Sequence, residues 1–199
     1  MTGAFPPCNL PDADVRYLPG AFAPADADRL LAALRQGIDW RQEEVVIFGQ
    51  RRFVPRLVAW HGDPGARYTY SGVAHEPLPW TEALQEVRAR AESLAGRPFN
   101  SVLLNLYRDG RDGMGWHADD EPELGRDPVI ASVSLGATRR FRMRHRKRRE
   151  TVPMDLEHGS VLLMQGPTQH HWVHAVPKTA RAVGERINLT FRRVALPAA

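Results

Sequence analysis

The chain has 199 residues, 43% of them apolar and a quarter charged, with a net charge of +4 and one cysteine. That suits one domain with a substantial core and excludes a disordered chain; Cys8 alone cannot form an internal disulfide. No run of 18 apolar residues predicts a membrane span, and Met1 to Pro11 lacks the basic-then-apolar order of a secretion signal, so a cytoplasmic protein, expected to act as a monomer, follows.

In chain order, residues 1–12 are proline-rich and read as a flexible leader, and 13–199 as a single domain. Ala25 to Gln36 carries Leu30, Leu31 and Leu34 at helical spacing, with Pro24 suited to a helix start and Gly37 past the end. Val45 to Phe48 reads as a strand. Thr81 to Leu94 is a second amphipathic helix through Leu84, Val87, Ala91 and Leu94, closed by Gly96 and Pro98. Val102 to Tyr107, Val129 to Leu135, Arg140 to Arg144, Val161 to Met164 and Ile187 to Val194 have period two and read as strands. Two helices and many short strands predict an α+β, mostly β fold, a sandwich or barrel with the helices packed on one side.

Alternation then sorts side chains by face, because residues two apart in a strand share one. Asn105 and Tyr107 share a face; so do Arg186, Asn188, Thr190 and Arg192, opposite Ile187, Leu189 and Phe191. An ordinary half-buried strand would turn such a polar face to water. Two arginines with Asn and Thr between them also make a good recess for carboxylates, which guanidinium forks bind at two points. From Arg139 to Arg149 there are eight Lys or Arg and no acid. That run is either a solvated edge strand and loop or a ridge that tracks phosphates.

His117-Ala118-Asp119 places an imidazole and a carboxylate two residues apart, and His158, His170, His171 and His174 follow as possible distal ligands. Two histidines and one carboxylate on one face of a metal, with the other face open, form the ligand set of a mononuclear non-haem iron(II) centre. Structural zinc prefers four ligands, usually with cysteines, which this chain lacks. His170 and His171, being adjacent, would face opposite sides of a strand.

Five separated motifs carry a resemblance: Asn105-Leu106-Tyr107, His117-Ala118-Asp119-Asp120-Glu121, Ala131-Ser132-Val133-Ser134-Leu135-Gly136, His171-Trp172-Val173-His174 and Arg186-Ile187-Asn188-Leu189-Thr190-Phe191-Arg192. In order and approximate spacing they resemble the AlkB-family 2-oxoglutarate- and iron(II)-dependent dioxygenases, most closely the DNA-repair branch. The resemblance implies a double-stranded β-helix, or jelly roll. It implies iron at His117, Asp119 and His174, and 2-oxoglutarate at Asn105, Tyr107, Arg186, Thr190 and Arg192, with Asn188 supporting. Ile47-Phe48-Gly49, followed by Gln50, resembles a hairpin that probes the base stack, although Gln50, Arg51 and Arg52 depart from the aromatic residue expected there. Arg67-Tyr68-Thr69-Tyr70-Ser71-Gly72 resembles a segment beside the damaged base. Asp120, Glu121 and Arg144 are likewise assigned to the substrate.

The implied reaction is oxidative dealkylation of N-alkylated bases in single- or double-stranded DNA, or in RNA, releasing succinate, carbon dioxide and an aldehyde. Two alternatives accompany it. One is the same iron chemistry on RNA, a protein side chain or a small molecule. The other is a non-catalytic basic module that binds nucleic acid with a steep salt dependence.

Overall fold

A computed structural model describes residues 7–47, 49–66, 68–70, 73–148 and 150–195, with the backbone alone at 7, 45–47, 68–70 and 73–75. Strand β1 (Pro7–Cys8) lies inside the stretch read as a leader and pairs antiparallel with β2 (Asp14–Leu18). The link between them is tied down by the Trp172 indole, whose Nε1 donates to the Pro11 carbonyl at 2.9 Å. Helix α1 (Pro24–Gly37) begins on the expected proline and buries Ala27, Leu30 and Leu34, one stripe of an amphipathic helix. The hairpin β3 (Glu44–Ile47)–β4 (Gln50–Phe53) turns on Gly49 at φ +75°; Phe48 lies outside the described residues. There follow β5 (Leu57–Gly62), β6 (Tyr68–Tyr70) and β7 (Val73–His75).

Helix α2 (Glu82–Ala95) starts where the Thr81 side chain accepts from the Leu84 N–H and ends on Gly96 in the left-handed region, φ +66°. Eight further strands complete the chain: β8 (Ser101–Tyr107), β9 (Met114–His117), β10 (Ile130–Gly136), β11 (Arg139–His145), β12 (Thr151–Leu156), β13 (Ser160–Gln165), β14 (Trp172–Val176) and β15 (Arg186–Arg192). Between β13 and β14 lies a single helical turn, α3 (Thr168–His171). His170 and His171 therefore sit on a turn of helix, not on a strand. The last strand stops at Arg192 rather than Val194, because the Val194 backbone bonds the Asn100 amide at both its N–H and its carbonyl. Period two did not reveal β9 and β12: Gly115 and Pro153 interrupt them, and Pro153 is tolerated because β12 is an edge strand.

From β8 onward the chain crosses between two sheets. A seven-stranded sheet has the order β1-β2-β13-β10-β15-β8-β5, and a four-stranded one the order β12-β11-β14-β9. Within both, every ladder is antiparallel. Each crossing sets a large-sheet strand opposite a small-sheet strand, the jelly-roll arrangement. The apolar side of the large sheet, including Leu104, Leu106, Val133, Ile187, Leu189 and Phe191, packs against Leu30 and Leu34 of α1 and Leu84, Val87 and Ala91 of α2. The helices thus cover one side. A second core between the sheets includes Phe141, Met143, Leu162, Met164 and Trp172. The polar face of β15 looks into that inner space, so all seven of its residues are buried; it is not a solvated face. No helix among the described residues is long and apolar enough to cross a membrane.

Candidate metal and co-substrate site

Strands β9 and β14 pair so that His117 stands directly across from His174, and their rings lie edge to face with centroids 4.3 Å apart. Asp119 follows two residues beyond His117. Ligand atoms of His117, Asp119 and His174 all lie within 4.8 Å of one another. The other distal histidines are engaged elsewhere. His158 Nδ1 accepts from the Gly136 N–H at 2.8 Å, His170 faces Asp127 at 3.1 Å, and His171 stacks on His145.

The protonation states suit a metal. His117 Nδ1 lies 2.9 Å from the Gly115 carbonyl; a carbonyl can only accept, so Nδ1 carries the proton and the Nε2 lone pair is left for a ligand bond. Burial, then the neighbouring His117, pushes the His174 pKa down to about 3, against the pull of Asp119, so its imidazole is neutral near pH 7. Desolvation alone would raise the Asp119 pKa. Arg192, His174 and His117 outweigh it and hold the carboxyl below its ordinary range, with Arg192 Nη2 bonded to Asp119 Oδ1. A carboxylate and a neutral imidazole, both buried, beside a half-buried imidazole are what a divalent cation needs, and they fit iron(II).

Deeper between the sheets, Arg186 is 1% exposed. Its Nη2 donates to Ser134 Oγ at 2.9 Å, its guanidinium lies over the Tyr107 ring at 5.3 Å, and its Nε and Nη1 have no hydrogen-bond partner. Burial lowers its pKa, and among the described residues no carboxylate pairs with it. A buried cation with unused donors is costly unless an anion joins it, so the residues fit a dicarboxylate co-substrate. Asn188 is already committed: its Nδ2 donates to Ser132 Oγ and the Val133 carbonyl, and its Oδ1 accepts from Thr190. Asn105, Tyr107, Thr190 and Arg192 line a cavity of about 220 Å³ that also touches His117, Asp119 and His174. At roughly 30 Å³ per water, that space admits a small organic acid.

Several contributors escaped the sequence reading. Gln169 on α3 is 1% exposed and its Oε1 accepts from the Asp119 N–H at 3.0 Å. Arg56 is buried and its Nε donates to Asn105 Oδ1 at 2.7 Å. Ser132 and Ser134 share a face by period two and could have been found that way; lone Arg56 and Gln169 carry no periodic signal.

The residues assigned to a substrate are not gathered at one place. Glu121 lines the cavity, whereas Asp120 is held by Arg146 at 2.8 Å. Gly49 and Gln50 sit in the exposed β3–β4 hairpin. Tyr68, Thr69 and Tyr70 form β6, paired with β7, and their side chains fall outside the described residues, as does Phe48. Arg144 points outward from β11, its guanidinium 4.4 Å from the centre of the Trp116 ring. The basic run is divided: Arg139 is buried and donates to the carbonyls of Asp109, Asp112 and Pro177, while Arg140, Arg142 and Arg144 face solvent.

Residues 14–192 match the 2OG-Fe(II) oxygenase superfamily. The chain is 42% identical over 184 residues to the DNA oxidative demethylase ALKBH2 of Mus musculus, covering 87% of this chain and 77% of that protein. It is 42% identical over 186 residues to the alpha-ketoglutarate-dependent dioxygenase alkB homolog 3 of Homo sapiens, with 88% and 64% covered. In fold it is similar to a solved prolyl hydroxylase from Trichoplax adhaerens, at TM-score 0.63 and 15% identity, over 90% of this chain and 83% of that one.

Proposed function

The chain belongs to the 2OG-Fe(II) oxygenase superfamily, in its AlkB branch, and from that premise we propose that it repairs DNA by oxidatively removing N-alkyl groups from bases such as 1-methyladenine and 3-methylcytosine. One observation carries the reading: His117, Asp119 and His174 converge on a cavity that Tyr107 also lines, and the buried Arg186 guanidinium over the Tyr107 ring has no acidic partner among the described residues. His117, Asp119 and His174 would hold iron(II). Arg186 and Tyr107 would take the far carboxylate of 2-oxoglutarate, with Asn105, Thr190 and Arg192 around the rest. Bound there, iron and 2-oxoglutarate would supply the oxidation: one atom of O2 would end in succinate as the keto acid loses carbon dioxide, the other in the hydroxyl group on the N-alkyl carbon, and the resulting hemiaminal would release an aldehyde.

The protein positions and polarises. Arg192 keeps Asp119 ionised, the Gly115 carbonyl fixes the His117 tautomer, and Asn188 on β15 braces Ser132 on β10. Apolar walls such as Phe141, stacked on the His174 ring at 5.3 Å, limit water. A base inside a duplex cannot reach a site between two sheets and must be extruded, at about a few kcal/mol, less for an alkylated base that pairs badly. The acidic Glu121 on the cavity wall would favour a cationic N-alkylated base. The hairpin at Phe48, Gly49 and Gln50 and the strand Tyr68-Thr69-Tyr70 are the natural elements to contact the stack and the extruded base, and Arg144 the phosphates.

The test is succinate release with iron(II), ascorbate and 2-oxoglutarate across a panel of alkylated oligonucleotides. Release matched to loss of 1-methyladenine or 3-methylcytosine from DNA is expected. Turnover confined to RNA, a peptide or a small molecule would overturn the substrate; none at all would overturn the enzyme.

A further inference from the structure

On the outer face of the four-stranded sheet, Arg144 is joined by residues that take no part in the metal and co-substrate site. Alternation along β9 that turns His117 inward turns Trp116 outward, 39% exposed. Alternation along β11 that places Met143 opposite His174 turns Arg142 and Arg144 outward. Between them runs β14, whose outward Val173 and Ala175 stand in register with Arg144 and Arg142. The face is therefore a low floor with an indole on one flank and two arginines on the other. The Arg144 guanidinium bridges the floor to lie over one face of the Trp116 ring at 4.4 Å.

Charge on this face is one-sided. Among the described residues neither Arg142 nor Arg144 has an ion-pair partner, and across β11 the outward neighbours on β12 are Thr151, Pro153 and, at the far end, Asp155, which Arg140 occupies at 2.6 Å. Beyond Arg142 the face runs into a cleft of about 440 Å³ that Lys178, Thr179 and Arg181 also line. Trp116 lies on β9, an edge strand whose last residue His117 and the following Ala118 line the cavity, so this end of the outer face is the one nearest the cavity. Outward arginines on one strand step by about 6.8 Å, comparable to successive phosphates of an extended single strand.

We propose that this outer face binds single-stranded DNA continuous with the lesion-bearing strand, one unpaired base stacking on Trp116 and the following phosphates running over Arg144 and Arg142 to the Lys178–Arg181 cleft. Aromatic platforms within cationic grooves bind single strands without sequence preference, because every base has a π face and every step a phosphate. A duplex offers phosphates but hides its base faces, so the exposed indole selects the single strand. Only the lesion in the bound strand rests on the dealkylation reading; the surface stands on Trp116 and the arginines.

The experiment measures binding of an unmodified 15-mer of thymidylate to the full chain by fluorescence anisotropy at several salt concentrations, for wild type, Trp116→Ala, Trp116→Phe and Arg142→Ala. Trp116→Ala should weaken binding roughly tenfold with the salt slope unchanged, and Trp116→Phe should recover most of it. Arg142→Ala should reduce the slope by about 0.7, one phosphate on a single strand. In turnover, Trp116→Ala should lower the ratio of kcat/KM on a lesion-bearing 15-mer to that on a lesion-bearing trinucleotide by a similar factor. Wild-type binding by both Trp116→Ala and Arg142→Ala, or an equal loss on a blunt duplex, overturns the surface. The thymidylate assay needs neither lesion nor turnover, so a failed dealkylation reading leaves it decisive.

Discussion

Asp119 and Arg192 form a charge pair in which each is nearly sealed from water, at 2% and 4% side-chain exposure. Removing one partner of such a pair costs about 3–5 kcal/mol, because the other charge stays buried without its compensation. Asp119→Ala should therefore lose both metal binding and stability, and Asp119→Ala with Arg192→Leu should melt higher than Asp119→Ala alone by calorimetry. A double variant less stable than the single one would remove the pair as the cause. His174 makes a pH prediction of definite sign. It titrates near 3 in the folded chain and at about 6.5 when unfolded. As pH falls from 6.5 toward 3, the unfolded chain takes up a proton that the folded chain refuses, so stability declines through that window. His61, lowered by burial, adds the same sign, and Asp119 adds more below its ordinary range. The urea midpoint of the metal-free protein should fall between pH 7 and pH 4, and His174→Leu should make the fall shallower. A parallel fall in the variant would show that His174 is not its source.

At the scale of elements, α3 has the most consequence for its length. Thr168 Oγ1 donates to the Gln165 carbonyl at 2.5 Å and accepts from the Asp14 N–H at 3.0 Å, locking the turn to β2. That lock aims Gln169 at the Asp119 backbone. Outer hydrogen bonds of this kind tune metal affinity by about 10–100-fold, so Gln169→Ala should weaken manganese(II) binding by roughly tenfold in titration calorimetry. Affinity equal to wild type would reduce Gln169 to packing. The two long helices were legible because each combines an apolar stripe at helical spacing with a terminal signal, Pro24 at the start of one and Thr81 with Gly96 at the two ends of the other. Strands β9 and β14 were not: β9 is four residues with a glycine inside, and β14 follows a turn that histidine composition cannot announce. The β10 strand ends on Gly136 at φ +94°, pressed against the Glu185 carbonyl, a close approach that only glycine allows.

For the whole molecule, the site sits between two sheets whose facing strands are far apart in sequence, so anything bound there links both sheets to one equilibrium. A ligand that binds only the folded state stabilises it by about 2.7 kcal/mol at a hundred times its Kd. For a chain of this length that corresponds to roughly 5–10 °C. Manganese(II) with 2-oxoglutarate in the absence of oxygen should raise the melting temperature by that amount, and Arg186→Met should abolish the 2-oxoglutarate part while retaining the metal part. A full shift in the variant would move the co-substrate away from Arg186.

Sequence alone determined which residues could act together. Period two put Arg186, Asn188, Thr190 and Arg192 on one face, and five ordered motifs marked the family. It could not say whether that face met water or another sheet, because alternation records only that two sides differ. Tertiary structure decided that the polar side is the buried one, stood His174, which the family motifs had marked, across from His117, and brought Gln169 to Asp119 and Arg56 to Asn105. Those choices depend on strand register between segments dozens of residues apart, and no local pattern encodes that register.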